Sequence, residues 1–416
     1  MATTRRAPKG TKEKNRDAPR KASDGSVTAT GVVAAVVGLV ERLVTFVAAG
    51  HRFSKRDVAE LFVYASARRT SLTRACDDLA KAMSDSRLRQ LWSNFELDRV
   101  QATLNRLLVV RAKACLRHRR IRLAIDFHLV PYHGKPHKHE REVYRGPAKS
   151  GTSHFHAYAT AYVILAGRRF TLAVKFVRKG EDLTRVLRFL LKRVDDAGFD
   201  VESLYADRGL CNVRCIRFLQ TLPYEVLVPL IIRGKKGQAL LKPRASYATT
   251  YTMKSPDHGS VTFPVLVAVV YAKGRRREHK ANKYAYIALN CTASPRTVFD
   301  RYRTRFGIEA SYRIATRARG RTSTRNPAIR LVLFGVALLI ENEWVWTKYD
   351  RLSVMRRGRG GRVVQDSLLR FERFLAWIVH ALNLALELVA EVSALIPTRP
   401  RGKRRARHPS RGSGNY

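Results

Sequence analysis

The sequence predicts an α/β protein in which a mixed sheet is flanked by helices, preceded by an all-helical region and interrupted by a β-rich insertion. Three observations carry this expectation. Apolar spacing is helical from residue 31 to about residue 116, it becomes strand-like near Ile121, and strands then alternate with helices as far as residue 232. A hydrophobic fraction of 45% with 9% aromatics supplies enough apolar surface for real cores in a chain of 416 residues.

Residues 1–28, rich in Lys, Arg, Pro, Ser and Thr, read as a disordered basic arm. Residues 29–118 form the helical region. There Ser54 is placed to cap a helix, and Ser71 a second one after the turn Arg68-Arg69-Thr70. Two short helices joined by a tight basic turn suit a helix-turn-helix reader of DNA or a plain bundle. The region 119–346 carries the sheet. It opens with Arg-Leu-Ala-Ile-Asp-Phe-His-Leu-Val at 122–130, a short apolar strand, and continues with strands at 154–165 and 170–177. A helix at 181–196 ends at Gly198, a strand at 201–206 delivers Asp207, and a helix at 212–221 leads to a strand at 224–232, which Pro229 assigns to a sheet edge. Residues 233–293 read as the β-rich insertion. Ser294-Pro295 opens helices that run with breaks to about Trp346. Residues 347–366 form a basic linker, 367–396 a closing amphipathic helix, and 397–416 a disordered basic tail.

Charge sets the class of partner. The chain has 80 Lys and Arg against 33 Asp and Glu, a net charge of +47, and an isoelectric point near 11.1. Such a field calls for a polyanion, and nucleic acid gains affinity through counterion release at each neutralised phosphate. A membrane span is not expected: Glu41 and Arg42 break the apolar run at 31–50, and His380, Glu387 and Glu391 break that at 374–396. Residues 1–23 contain no apolar stretch followed by a cleavage signal, which points to the cytoplasm. Five scattered cysteines make no disulfide framework, and Cys211 and Cys215 read as small buried residues of one helix. His128, His133, His137 and His139 offer zinc donors, but a loop rich in Gly, Pro, His and Lys suits phosphate contact better. The stretches at 144–149 and 175–179 are basic and aromatic enough to line a DNA channel, with solvated loop and strand faces as the default reading.

In so basic a chain the isolated acids are informative. Asp126 is the only acid between Ile121 and His139, Asp207 the only one between Ser203 and Tyr224, and Glu309 the only one between Arg301 and Arg330. A bare carboxylate in an apolar strand costs several kcal/mol unless a cation holds it. Each acid taken alone has a structural reading, as a helix cap or a salt-bridge hub. Together they match what a two-metal phosphoryl-transfer site needs, carboxylates from separate elements around cations about 3.5–4 Å apart, and Mg²⁺ suits an all-oxygen donor set.

With acids on its first strand, after its fourth and on a late helix, the region 120–346 resembles the ribonuclease H-like core of DDE transposases. Tyr302-Arg-Thr-Arg305-Phe-Gly-Ile-Glu309 is similar to the Tyr-x2-Arg-x3-Glu signature of one group of prokaryotic insertion-sequence transposases, and Asp207-Arg-Gly-Leu resembles the motif around their second Asp. That group also carries a β-rich insertion between the second Asp and the Glu. The signature continues to a Lys where this chain has Thr316, with Arg317 beside it. The resemblance implies that Asp126, Asp207 and Glu309 are catalytic and hold two Mg²⁺ ions, with Mn²⁺ able to substitute. It implies nicking of DNA at terminal inverted repeats, strand transfer of the freed 3′-hydroxyl into target DNA, DNA contacts from Tyr302, Arg305, Arg313 and Arg317, and a dimer on paired ends in the prokaryotic nucleoid. Two alternatives stand beside it: a nuclease of the same core that cuts without joining, and a non-catalytic DNA-binding protein derived from a transposase.

Overall fold

The computed structural model describes residues 26–44, 53–116, 119–165, 168–271, 281–355 and 362–391. The tail expected at 397–416, nearly all of the arm expected at 1–28 and the centre of the linker lie outside them.

Five helices lead the fold: α1 (Ala29–Leu43), α2 (Lys55–Ala67), α3 (Leu72–Asp78), α4 (Asp85–Trp92) and α5 (Leu97–Leu116). Thr28, Ser54, Ser71 and Ser84 cap the first four by accepting backbone N–H groups, and Ser54 closes a capping box with Asp57. Every residue of α2 from Val58 to Ala67 is buried, so α2 is the middle of a bundle rather than an outlying arm.

The sheet follows: β1 (Arg120–Pro131), β2 (Tyr144–Lys149), β3 (Thr152–Val163), β4 (Thr171–Val177), α6 (Leu183–Asp196), β5 (Asp200–Ala206), α7 (Val213–Leu219), β6 (Glu225–Pro229) and α8 (Gly234–Ala239). The insertion supplies β7 (Tyr247–Ser255), β8 (Gly259–Tyr271) and β9 (Ala281–Leu289). Strand order is β2-β3-β1-β5-β6-β9-β8-β7, with β4 also on β3. β1, β5 and β6 run parallel and the other pairs are antiparallel, so the insertion extends the same mixed sheet through the β6–β9 pair. The edge position expected for the Pro229 strand is therefore corrected: β6 lies between β5 and β9. Proline is tolerated because Pro229 is the last residue of the strand, paired with Tyr286 of β9, while β5 pairs only as far as Leu227.

The closing helices are α9 (Pro295–Arg303), α10 (Gly307–Arg317) and α11 (Pro327–Asp350); a small hairpin, β10 (Ser353–Met355) and β11 (Arg362–Val364), precedes α12 (Phe371–Leu386). The last helix is shorter than its apolar pattern suggests. Glu387 turns left-handed at φ 55, and the chain beyond it pairs with the end of α3 through Ala80 N–H to the Glu387 carbonyl at 2.7 Å and Val389 N–H to the Asp78 carbonyl at 2.9 Å.

Helices and sheet share one core, in which α1, α2, α5, α11 and α12 pack with Tyr158, Val174 and Phe176 of the sheet. Polar side chains complete the seam. β4 is a free edge, and unpaired edge groups must find partners. Asn105 accepts from Val174 N–H and donates to its carbonyl, both at 2.8 Å, Gln101 accepts from Phe176 N–H at 2.7 Å, and Asn342 bonds both backbone groups of Thr171.

Candidate active site

Strand alternation decides which way the first acid points. Ile121, Leu123 and Ile125 of β1 are fully buried in one core, while Ala124 packs on the opposite face with Tyr302, Ile308 and Tyr312 of the late helices. Asp126 shares the parity of Ala124. In the parallel pair β1–β5, Ile125 faces Ala206, so the next residues along the two strands are Asp126 and Asp207. Glu309 lies in the first turn of α10, where a carboxylate is favoured by the helix dipole.

The three acids meet on one guanidinium. Arg305, in the short 3-10 turn before α10, lies 3.2 Å from Asp126, 3.6 Å from Asp207 and 3.3 Å from Glu309. Arg305 is 5% exposed. Burial pulls its pKa down, but Tyr302 and the three carboxylates hold it above the ordinary guanidinium value. Asp126 is raised to about 6, first by burial, with Asp207 and Glu309 adding repulsion against the attraction of Arg305 and the N–H of Phe127. Asp207 also caps the turn that follows it, accepting from Gly209 N–H at 3.0 Å.

Two tyrosines bolt the late helices to the strand ends. Tyr302 donates to the carbonyl of Ala206 at 3.0 Å, next to Asp207, and Tyr312 donates to the carbonyl of Asp126 at 3.0 Å while its oxygen lies 2.7 Å from the Thr160 hydroxyl. Tyr302, expected on DNA, is thus buried behind the site, and Arg305 faces the carboxylates. Arg313 is exposed, and Arg317 is exposed and paired with Glu372 of α12. Tyr312 and Thr160 were missed by sequence reading; the position of Tyr312, one helical turn after Glu309, was the available signal.

The donor set fits a hard divalent cation, being all carboxylate; Arg305 Nε and Nη1 lack hydrogen-bond partners of good geometry, so the guanidinium is held by its Nη2 bond to Glu309 at 3.3 Å and otherwise by charge. Among the described residues no three His, Cys, Asp or Glu side chains are gathered into a finished metal cage, and the carboxylates stand around Arg305 instead. The zinc reading of the histidine loop finds no such cluster either. His128 is a core aromatic, with ring centres 4.6 Å from Tyr312 and 5.3 Å from Phe334, and burial, then Arg319 and Lys149, push its pKa down to about 3. Cys211 and Cys215 are free and buried.

Three acids from a central strand, the end of its parallel neighbour and a later helix suit an enzyme that works on phosphodiesters. The chain belongs to the transposases with a DDE domain: the family model described as "Transposase DDE domain" matches residues 117–340, just over half of it. Domains of that family in general depend on divalent metal ions. The fold is similar to that of a piggyBac transposase, seen by cryo-electron microscopy in a synaptic complex with hairpin DNA, with a TM-score of 0.50 and 11% identity over 86% of this chain and 80% of that one. No curated protein sequence matches the chain. No described helix is long and apolar enough to cross a membrane.

Proposed function

We propose that this transposase cuts and joins DNA with Asp126, Asp207 and Glu309 as its catalytic carboxylates, holding two Mg²⁺ ions for which Mn²⁺ can substitute. The observation that carries the reading is the meeting of all three acids on Arg305. When bound, the metal supplies Lewis-acid activation of water and charge neutralisation at the phosphodiester. The chain's own residues prepare the site. Tyr302 and Tyr312 hold the backbone on which Asp207 and Asp126 stand, and Arg305 keeps three negative charges together at the place where the carboxylates would hold the cation. Its guanidinium has the planar fork to bind a phosphate. Arg313 and Arg317 extend the basic surface of α10 toward the DNA backbone. The substrates on this reading are terminal inverted repeats and target DNA, with the helical region recognising the ends and two copies of the chain on paired ends.

The test is a Mg²⁺-dependent reaction on duplex DNA carrying the ends of the element. Cleavage with strand transfer is expected from the wild type and neither from Asp126→Ala, Asp207→Ala or Glu309→Ala. Cleavage without joining would assign a nuclease, and binding alone a non-catalytic derivative. A folded Glu309→Ala variant with full metal-dependent cleavage would sink the site assignment.

A further inference from the structure

Away from the carboxylates, four arginines line a cavity of about 290 Å³ where the helical bundle meets the sheet: the exposed Arg321, and a group of three made of Arg69 in the turn between α2 and α3, Arg319 just after α10, and Arg330 in the first turn of α11. None of the three pairs with a carboxylate among the described residues. Arg319 and Arg330 are only partly open to solvent, and burial pulls both guanidinium groups below their ordinary range; Arg330 and Arg69 lower Arg319 further, against an opposing contribution from Tyr158. Uncompensated buried charge is costly, and an anion relieves it.

The walls are built to hold this cluster together. The Arg321 N–H donates to the Thr70 carbonyl at 2.8 Å, and Ser71 and Arg321 form a parallel bridge, so the loop after α10 is stitched to the α2–α3 turn. Arg69 takes a left-handed φ of 56, and the Thr70 N–H returns to the Ala65 carbonyl at 2.9 Å. Gly320 lets the loop close: a Cβ there would lie 2.8 Å from Leu333 Cδ2. Arg330 is aimed by its Nε bond to the Thr324 carbonyl at 2.7 Å and by the ring of Tyr132, 4.7 Å below the guanidinium.

We infer that this cavity is a seat for one phosphodiester of a DNA backbone, gripped by Arg69, Arg319 and Arg330 at the seam between bundle and sheet. The inference rests on the proposal that the chain acts on DNA. Its consequence is mechanical. α10, which carries Glu309, ends at Arg317, two residues before Arg319, so a phosphate seated here fixes the far end of the helix that presents the third carboxylate.

The test compares the full-length wild type with Arg319→Gln/Arg330→Gln and with a surface control, Arg193→Gln on α6, by fluorescence anisotropy on labelled duplex over a salt series. The double variant should bind about 10-fold more weakly on every sequence, and its slope of log K against log salt should shrink by about 0.9 for the lost phosphate, whereas the control loses less on both measures. Inorganic phosphate at constant ionic strength should raise the wild-type melting temperature saturably and leave that of the double variant unchanged. A folded double variant that binds like the control, with the same slope, overturns the seat. Should the double variant fail to fold, a wild type whose melting temperature phosphate does not raise overturns it equally. A wild type that binds DNA without cutting it, yet shows the loss on Arg319→Gln/Arg330→Gln, refutes the active-site reading and leaves the seat standing.

Discussion

Replacing Arg305 by alanine should leave three carboxylates facing one another, and the cost follows from their burial. The Arg305–Asp126 pair, 3.2 Å apart with side chains 7% and 13% exposed, is a buried pair, and removing one partner of such a pair costs about 3–5 kcal/mol. Asp207 is one-third exposed and Glu309 half exposed, so solvent screening limits each of those contacts to about 0–1 kcal/mol. The total is then about 3–7 kcal/mol, a large share of the roughly 5–15 kcal/mol that holds a domain folded. Urea unfolding followed by circular dichroism, in EDTA and in excess Mg²⁺, measures it. Arg305→Ala should be strongly destabilised in EDTA and recover more than the wild type gains on adding Mg²⁺, because a bound cation at 100 times its dissociation constant returns about 2.7 kcal/mol. Arg305→Lys should fall between, since an ammonium lacks the fork that reaches three partners. A loss below about 1 kcal/mol in EDTA, or equal Mg²⁺ protection of both proteins, would refute the account of Arg305 as the cation in waiting.

Asn105→Ala strips the Val174 N–H and carbonyl of their partners; at about 1–3 kcal/mol for each buried orphan, chemical denaturation should report a loss of roughly 2–6 kcal/mol. Glu341, 3% exposed, accepts from Ser311 at 2.7 Å and is raised by burial from its ordinary 4.5 to about 8. The folded state therefore holds this proton more tightly than the unfolded chain, and stability falls as pH rises from about 4.5 to about 8. Glu341→Gln should raise stability at pH 9 by roughly 2–4 kcal/mol and change it little at pH 4; thermal melts across that range check the sign, and equal effects at both ends would count against it. Tyr312→Phe removes the bonds to the Asp126 carbonyl and to Thr160, and should slow metal-dependent cleavage at a stability cost of about 1–2 kcal/mol.

The acids were legible because a charge-rich chain leaves Asp126, Asp207 and Glu309 isolated, and isolation in an apolar strand or among arginines is visible in one dimension. The role of Arg305 was half legible. Its contact with Glu309 is an i,i+4 neighbour that spacing reveals, whereas its reach to Asp126 and Asp207 exists only once β1 and β5 lie side by side, so a reading along the chain turned it outward to DNA. Pro229 misled for the same reason: whether a missing N–H matters depends on where the neighbouring strand stops, and that strand, β5, pairs only as far as Leu227, while the other flank is closed by β9, reached through the insertion.

What no local rule could supply was the joint between the helical region and the sheet. Gln101 and Asn105 are polar residues one turn apart on α5, and Asn342 sits between Glu341 and Glu343 on the largely buried α11. Read along the chain they are blemishes in amphipathic patterns. In the fold they are the partners of an edge strand that would otherwise bury bare backbone groups against a helix. The geometry of those amides fixes the bundle on the sheet in one register. That register brings the α2–α3 turn against the loop after α10, and so sets Arg69 beside Arg319 and Arg330. The same buried amides that look most out of place in the sequence therefore tie the position of a basic cavity at the seam to the helix bearing Glu309.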